Sequence, residues 1–351
     1  MKNVLKIALA LLVAVTFHPH AGSAGQEENG TVSCGAWIVY WNQNDGMEEA
    51  LGLDPLPDRL IAFEALFGAD KSVILEHESQ ELLRRMQSKF PAEKIYLSVV
   101  NDLVLSKGGY SNKDTQLLRD LLLTEEAREA HIRELTYLVD RWHLKGLEID
   151  YENIHGDRAI WKGFTVFLKD LYAEMQKRGV TLRVALEWDS ILYTNLPEGP
   201  EYSIMCYNLF GFHSGPGPKA DKSFLRKIAG MYSGRNDCCM ALAAGGIDWI
   251  GNSADTEVTA RQAEYIFRSK NLKTKRDPDS GALYGTYMKD GQTHTVWYAD
   301  AETIRQWMEI LQEYGYSKFD FFCLGGNTVK DWNTLIMSQQ SGQREEGGDK
   351  P

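Results

Sequence analysis

Three carboxylates alternate strictly in the segment Lys145-Gly146-Leu147-Glu148-Ile149-Asp150-Tyr151-Glu152. In an extended strand successive side chains point to opposite faces, so Glu148, Asp150 and Glu152 share one face while Leu147, Ile149 and Tyr151 take the other. Like charges about 7 Å apart on one face raise each other's pKa, which suits general acid and base work on a substrate. A half-exposed edge strand with a solvated acidic face would show the same alternation. Gly146 and the apolar outer face fit instead a strand covered by helices, with its acids in an enclosed space.

Such a strand needs a scaffold, and the chain supplies a regular one. Eight β-rich runs stand at Ala36 to Trp41, Leu60 to Phe67, Lys94 to Val100, Gly146 to Glu152, Leu182 to Trp188, Tyr202 to Leu209, Met240 to Trp249 and Phe319 to Leu324. Helical spacing of apolar residues fills intervals at Ser79 to Lys89, Glu125 to Trp142, Ile160 to Arg178, Asp221 to Tyr232 and Asp300 to Tyr314. Asp300 reads as an N-cap, and Gly179 and Gly315 as C-terminal stops. Eight strand and helix units predict an α/β fold, a closed (β/α)8 TIM barrel with active residues at the C-terminal ends of its strands. The rival, an open doubly wound sheet, lacks a Gly-x-Gly-x-x-Gly turn after the first strand. From about Gly251 to Tyr298 the rhythm breaks. Two β runs around Asp290-Gly291 read as a hairpin, predicting a small α+β insertion between strands 7 and 8.

The ends and the composition bound where and on what the protein works. Lys2 and Lys6, an apolar run from Val4 to Phe17 and the small residues Ala21 to Ala24 read as a signal peptide over residues 1–24, too short to anchor stably in a membrane. A secreted or periplasmic protein is expected, with its barrel over residues 34–335 and a disordered polar tail over 338–351. The formal net charge of −11 makes nucleic acid a poor partner. The five cysteines, Cys34, Cys206, Cys238, Cys239 and Cys323, show no metal-ligand spacing and read as buried thiols, with one bridge possible in an oxidising compartment. The histidines are scattered, so neither a metal nor a cofactor is expected. The chain is expected to act as a monomer.

At these residues the chain resembles glycoside hydrolase family 18, the chitinase-like hydrolases, whose fourth strand carries Asp-x-x-Asp-x-Asp-x-Glu. Glu148, Asp150 and Glu152 fall on the last three acidic positions, with Glu148 in place of Asp and Lys145 in place of an acid. Met205-Cys206-Tyr207-Asn208 is similar to the Met-x-Tyr-Asp of strand six, with Asn for Asp. Phe322-Cys323-Leu324-Gly325 is similar to the Trp-x-Leu-Gly of strand eight, with Phe for Trp. Ala36 to Trp41 and Ala244 to Trp249 extend the resemblance over about residues 34 to 335, and Val296 to Asp300 looks like the spore-cortex-lytic branch.

The resemblance implies substrate-assisted hydrolysis of β-1,4-linked N-acetylglucosamine polymers such as chitin oligomers or peptidoglycan, in which the sugar's own acetamido oxygen is the nucleophile. It implies Glu152 as general acid and then base, Asp150 as the group that holds the acetamido N–H, Glu148 as the partner that shares a proton or hydrogen bond with Asp150, and Tyr207 as donor to the acetamido oxygen. Phe322 would be an aromatic floor under the reacting sugar, and Tyr40, Trp41, Trp188, Asn208 and Trp249 are the remaining candidates for substrate contact. For Tyr40, Trp41, Trp188 and Trp249 plain core packing is an equal expectation. Because Glu148, Asn208 and Phe322 depart from the family pattern, a glycan-binding protein without catalysis is the alternative. A barrel that uses its acidic cluster for a divalent metal is a third, more remote reading.

Overall fold

The computed structural model describes residues 32–327 and 332–333; the expected signal peptide and polar tail lie outside the described residues. Eight strands form the parallel barrel: Ser33–Val39, Arg59–Phe67, Ile95–Val104, Gly146–Asp150, Thr181–Glu187, Glu201–Met205, Cys238–Ala243 and Lys318–Phe322. Each is paired in register with the next, and the eighth returns to the first through Ser33 opposite Lys318 and Ala36 opposite Phe321, which closes the sheet. This is the (β/α)8 barrel anticipated from the strand and helix alternation.

Alternation along the strands builds two cores. Leu147, Ile149 and Tyr151 point outward into the layer between barrel and helices, where they meet the buried faces of helices such as Glu125–Trp142 and Arg158–Arg178. Trp37, Ile61, Tyr96, Ala185, Met205 and Tyr207 point inward and fill the barrel itself. Gly146 opens strand four because the Tyr96 ring crosses its α-carbon, and a Cβ there would lie 2.1 Å from that ring. Asp300 caps helix Ala301–Gln312 by accepting from Thr303 N, and Gly179 ends helix Arg158–Arg178 in the left-handed region. Helices Gln43–Leu51, Thr115–Leu122 and Ala260–Ser269 also stand in the fold; their apolar spacing is too short to read from sequence alone.

Most strand ends fall within a few residues of the sequence reading, with strand four ending at Asp150 rather than Glu152 and strand six at Met205 rather than Leu209, and one run divides in two. The single run Met240 to Trp249 is two strands: barrel strand seven ends at Ala243, and Gly245–Ile250 opens a separate five-stranded antiparallel sheet. Gly245 makes the break with φ 69°, a conformation that glycine alone adopts without strain. The second sheet therefore begins at Gly245, ahead of the break read near Gly251. Its hairpin, Leu283–Lys289 and Gln292–Ala299, turns on Asp290 and Gly291, both with positive φ, and helix Ala260–Ser269 covers one face of the sheet.

Candidate active site

Strand four ends at Asp150, and the next two residues fix how its acids are presented. Tyr151 faces outward, where its hydroxyl lies 2.6 Å from His131 Nε2 on the covering helix. The His131 ring stacks on Phe167, with ring centroids 5.2 Å apart. Glu152 lies just past the strand and is clamped through its backbone by one side chain: Asn101 Oδ1 accepts from Glu152 N at 2.9 Å, and Asn101 Nδ2 donates to Glu152 O at 3.2 Å. Two apolar and polar anchors thus hold the end of the strand while the carboxylates point into the barrel mouth.

A cleft of about 630 Å³ occupies that mouth, lined by Asp150, Glu152, Tyr207 and Phe322 among others. Side lobes of about 540 and 320 Å³ flank it. The first shares Trp41 and Phe322 with the central cleft, and the second shares Glu152, Tyr207 and Asn208. Phe322 and Tyr207 stack with centroids 6.2 Å apart, and Phe63 and Trp37 each stand 6.0 Å from Phe322, so the floor of the cleft is aromatic.

Charge is concentrated on the acids. Asp150 is buried and its Oδ1 makes no hydrogen bond, so burial, then the charges of Glu152 and Glu148, push its carboxyl well above the usual range. Tyr207 is pushed up in the same sense by burial, then by Asp150 and Glu152. Glu152 itself forms an ion pair with Lys113, whose Nζ lies 2.5 Å from Glu152 Oε2. Burial works against the charge of Lys113, but Glu152 overcomes it and the ammonium is favoured.

Of the residues singled out in sequence, Asp150, Glu152, Tyr207, Tyr40, Trp41, Asn208 and Phe322 line the central cleft, and Trp188 lines the smaller lobe beside Glu187 and Asp189. Trp188 already packs edge-on against Phe224, with Lys227 Nζ 4.2 Å from its ring centroid. Two expectations are corrected. Trp249 lines none of these cavities: it sits 1 % exposed in the first strand of the added sheet, opposite Thr295, because the chain leaves the barrel at Gly245 before reaching it. Glu148 makes no hydrogen bond to Asp150. Its Oε1 accepts from Trp37 Nε1 at 2.7 Å and its Oε2 from Arg183 Nε at 3.1 Å, and a guanidinium is a stronger partner than a second carboxyl.

Glu148 therefore belongs to a buried ionic layer under the site. Arg183 also donates to Asp320 Oδ2 at 2.8 Å, Arg59 Nη2 approaches Asp320 Oδ1 at 3.3 Å, and Ser203 Oγ donates to Asp320 Oδ2 at 2.8 Å. Burial opposes the charge on Asp320, yet Arg183 and Arg59 hold its carboxyl at about 2. Sequence reasoning missed this layer, and it missed Lys113, Asn101 and Glu64. Arg183, Asp320 and Glu64 were visible as lone charges inside apolar strand runs; Lys113 and Asn101 carry no such signal, since a loop lysine and an asparagine are ordinary surface residues.

Comparison with known proteins agrees with the geometry. The architecture is shared with a chitinase from Chromobacterium violaceum ATCC 12472, at a TM-score of 0.74 and 16% identity over 88% of this chain and 98% of that one. The Bacillus cereus spore cortex-lytic enzyme SleL superposes with a TM-score of 0.70 and 16% identity over 88% and 74% of the two chains. At these identities the likeness is one of fold. In sequence the chain is 25% identical over 233 residues to YdhD of Bacillus subtilis (strain 168), named as a candidate sporulation-specific glycosylase, covering 60% of this chain. The chain spans about half the length of that curated relative, 53%. Residues 36–319 match the profile of glycosyl hydrolases family 18, and the chain belongs to that family.

Proposed function

We propose that the protein is a secreted or periplasmic retaining glycoside hydrolase that cleaves β-1,4-linked N-acetylglucosamine polymers, chitin oligomers or peptidoglycan, by substrate-assisted catalysis. The observation that carries this reading is the convergence of Asp150, Glu152 and Tyr207 on one aromatic-floored cleft, with Asp150 buried and short of a hydrogen bond that an acetamido N–H would supply. The likeness to enzymes named as chitinases and as spore cortex-lytic agrees with it.

In this mechanism Glu152, in its acid form, gives its proton to the glycosidic oxygen as the bond to the anomeric carbon breaks. The acetamido oxygen closes onto that carbon from the opposite face, held by the Tyr207 hydroxyl, while Asp150 accepts from the acetamido N–H and balances the cationic ring. Glu152, now a carboxylate, takes a proton from water, which opens the ring and restores the β configuration. Lys113 must give way for the first step, because a carboxyl in an ion pair holds no proton to donate. Export rests on the pattern of residues 1–24, and the protein is taken to act as a monomer; among the described residues no helix is long and apolar enough to cross a membrane.

The test is incubation of the mature protein and its Glu152→Gln variant with chitin oligomers and with purified peptidoglycan, reading product mass and anomeric configuration. Release of β-anomeric N-acetylglucosamine ends by the wild type, reduced on the order of 100-fold or more in the variant, is the expected outcome. Binding of oligomers by both proteins with no cleavage by either would replace this reading with a glycan-binding one, to which the Glu152–Lys113 pair and the departures at Glu148, Asn208 and Phe322 also lend themselves.

A further inference from the structure

A second carboxyl faces the same cleft without a partner. Glu64, on barrel strand two, is 7 % exposed and lines the central cavity, and among the described residues its side chain makes no hydrogen bond or ion pair. Burial, then the charges of Asp102, Glu76 and Glu152, push it up to about 8. Asp102 lines the cleft as well and is itself raised by burial. The Tyr40 hydroxyl, raised by burial, then by Glu64 and Glu76, belongs to the same group. The cations of this cleft are Lys113 and Lys219, against the acids Glu64, Asp102, Asp150, Glu152 and Glu257, and Lys113 is already paired with Glu152. Among the described residues no group of His, Cys, Asp or Glu side chains is arranged to hold a metal ion. Beside these acids the wall is aromatic: Trp41 is 56% and Tyr110 52% exposed on the cleft.

An unpaired buried carboxyl asks for a donor, and a cluster of acids asks for a positive one. A neutral N-acetylated sugar would satisfy the aromatic faces but leave Glu64 protonated among its ionised neighbours, whereas an ammonium lets Glu64 release that proton to solvent and takes its place. A 2-amino sugar satisfies both, since its ring stacks on aromatic side chains and its ammonium offers three donors. We propose that the Glu64 and Asp102 wall is a subsite for a glucosamine unit with a free amino group, so that the enzyme prefers partly de-N-acetylated β-1,4 polymer, with one N-acetylated unit kept at Glu152. The preference rests on the hydrolase reading above; the subsite itself does not, because binding reads it without cleavage.

The test compares kcat/KM on partly de-N-acetylated and fully acetylated chitin oligomers of equal length, with de-N-acetylated and acetylated peptidoglycan strands run alongside to distinguish the two sources of the amino sugar. The wild type should favour the amino oligomers about tenfold, the worth of one partly buried charge pair. Glu64→Gln and, independently, Asp102→Asn on the cleft rim should each bring that ratio toward one, mainly through KM. A wild-type preference for fully acetylated oligomers, or a ratio unmoved in both variants, overturns the proposal. Should the wild type cleave neither oligomer, the hydrolase reading fails, and calorimetric titration of both oligomers into wild type and Glu64→Gln decides the subsite: tighter binding of the amino oligomer that Glu64→Gln loses supports it, and equal binding refutes it.

Discussion

Lys113 Nζ stands 2.5 Å from Glu152 Oε2, so the residue proposed as general acid rests in an ion pair with a loop lysine. Lys113 is itself held in place, because its backbone N–H donates to Asp102 Oδ1 at 2.7 Å. That pair must open before the Glu152 carboxyl can meet the glycosidic oxygen. Replacing the lysine in the apolar variant Lys113→Met removes that step, and kcat/KM on chitin oligomers should rise by a few fold. An unchanged kcat/KM would mean that opening the pair costs nothing on the way to the transition state.

The raised carboxyl of Glu64 makes a stability prediction whose sign is fixed by linkage. Its value in the folded protein, about 8, lies above the ordinary glutamate value, so between the two the native state holds a proton that the unfolded chain has lost. Stability from this group is therefore complete below the ordinary glutamate range and is lost as pH rises toward and through 8. Asp150, raised in the same direction, adds to the trend. Glu64→Gln removes the titrating group while keeping its shape, and urea melts should show the variant more stable than wild type at pH 8 to 9, by on the order of a few kcal/mol, with the gap closing near pH 4.

How much of this was legible in sequence depended on whether the signal was periodic or spatial. The alternation at Glu148 to Glu152 and the Met205-x-Tyr207 spacing place side chains on a strand face by geometry alone, and Asp150, Glu152 and Tyr207 do meet at one cleft. The register between strands is a different matter. No local pattern tells that Arg183 lies beside Glu148, 35 residues away, or that Asp320, 137 residues from Arg183, lies on its other side. Proximity in sequence pairs Glu148 with Asp150, whereas in the fold a cation on strand five claims it. Trp249 failed for a related reason: an apolar run reads as one strand, and only Gly245, which looks harmless in an Ala-Gly-Gly stretch, marks where the chain leaves the barrel.

Tyr207 is stacked on Phe322 inside the barrel, and its hydroxyl makes no hydrogen bond to another described side chain. Removing that hydroxyl should therefore cost little stability and act on the reaction alone. In Tyr207→Phe, kcat on chitin oligomers should fall on the order of 100-fold while KM changes by no more than a few fold, the pattern of a donor that matters most in the transition state. A rise in KM with kcat unchanged, measured with the melting temperature unchanged, would make Tyr207 a simple substrate contact.

Arg183 is the residue on which the floor of the barrel depends. It is fully buried, and its guanidinium serves Glu148 through Nε and Asp320 through Nη2, with Tyr96 across one face at 5.8 Å from the ring centroid. The pairing is not itself strong evidence of net stabilisation, since burying these charges costs much of what their attraction returns. Removing one partner is another matter, because the charges left behind stay buried. Arg183→Met leaves Glu148 with Trp37 Nε1 but no cation and leaves Asp320 with Arg59 and Ser203, and should destabilise the fold by about 3–5 kcal/mol. The single change Glu148→Gln leaves Arg183 its bonds to Asp320 and keeps an acceptor for Trp37 Nε1, so it should cost much less in stability. Because Glu148 is among the charges that raise Asp150, that variant should also let the Asp150 carboxyl ionise more readily, which a shift of the acid limb of kcat/KM to lower pH would report. Denaturant melts of the two variants at neutral pH, together with that pH profile, separate a charge layer that supports the fold from one that also sets the electrostatics of the site. If both variants melt like the wild type and the acid limb does not move, the layer does neither.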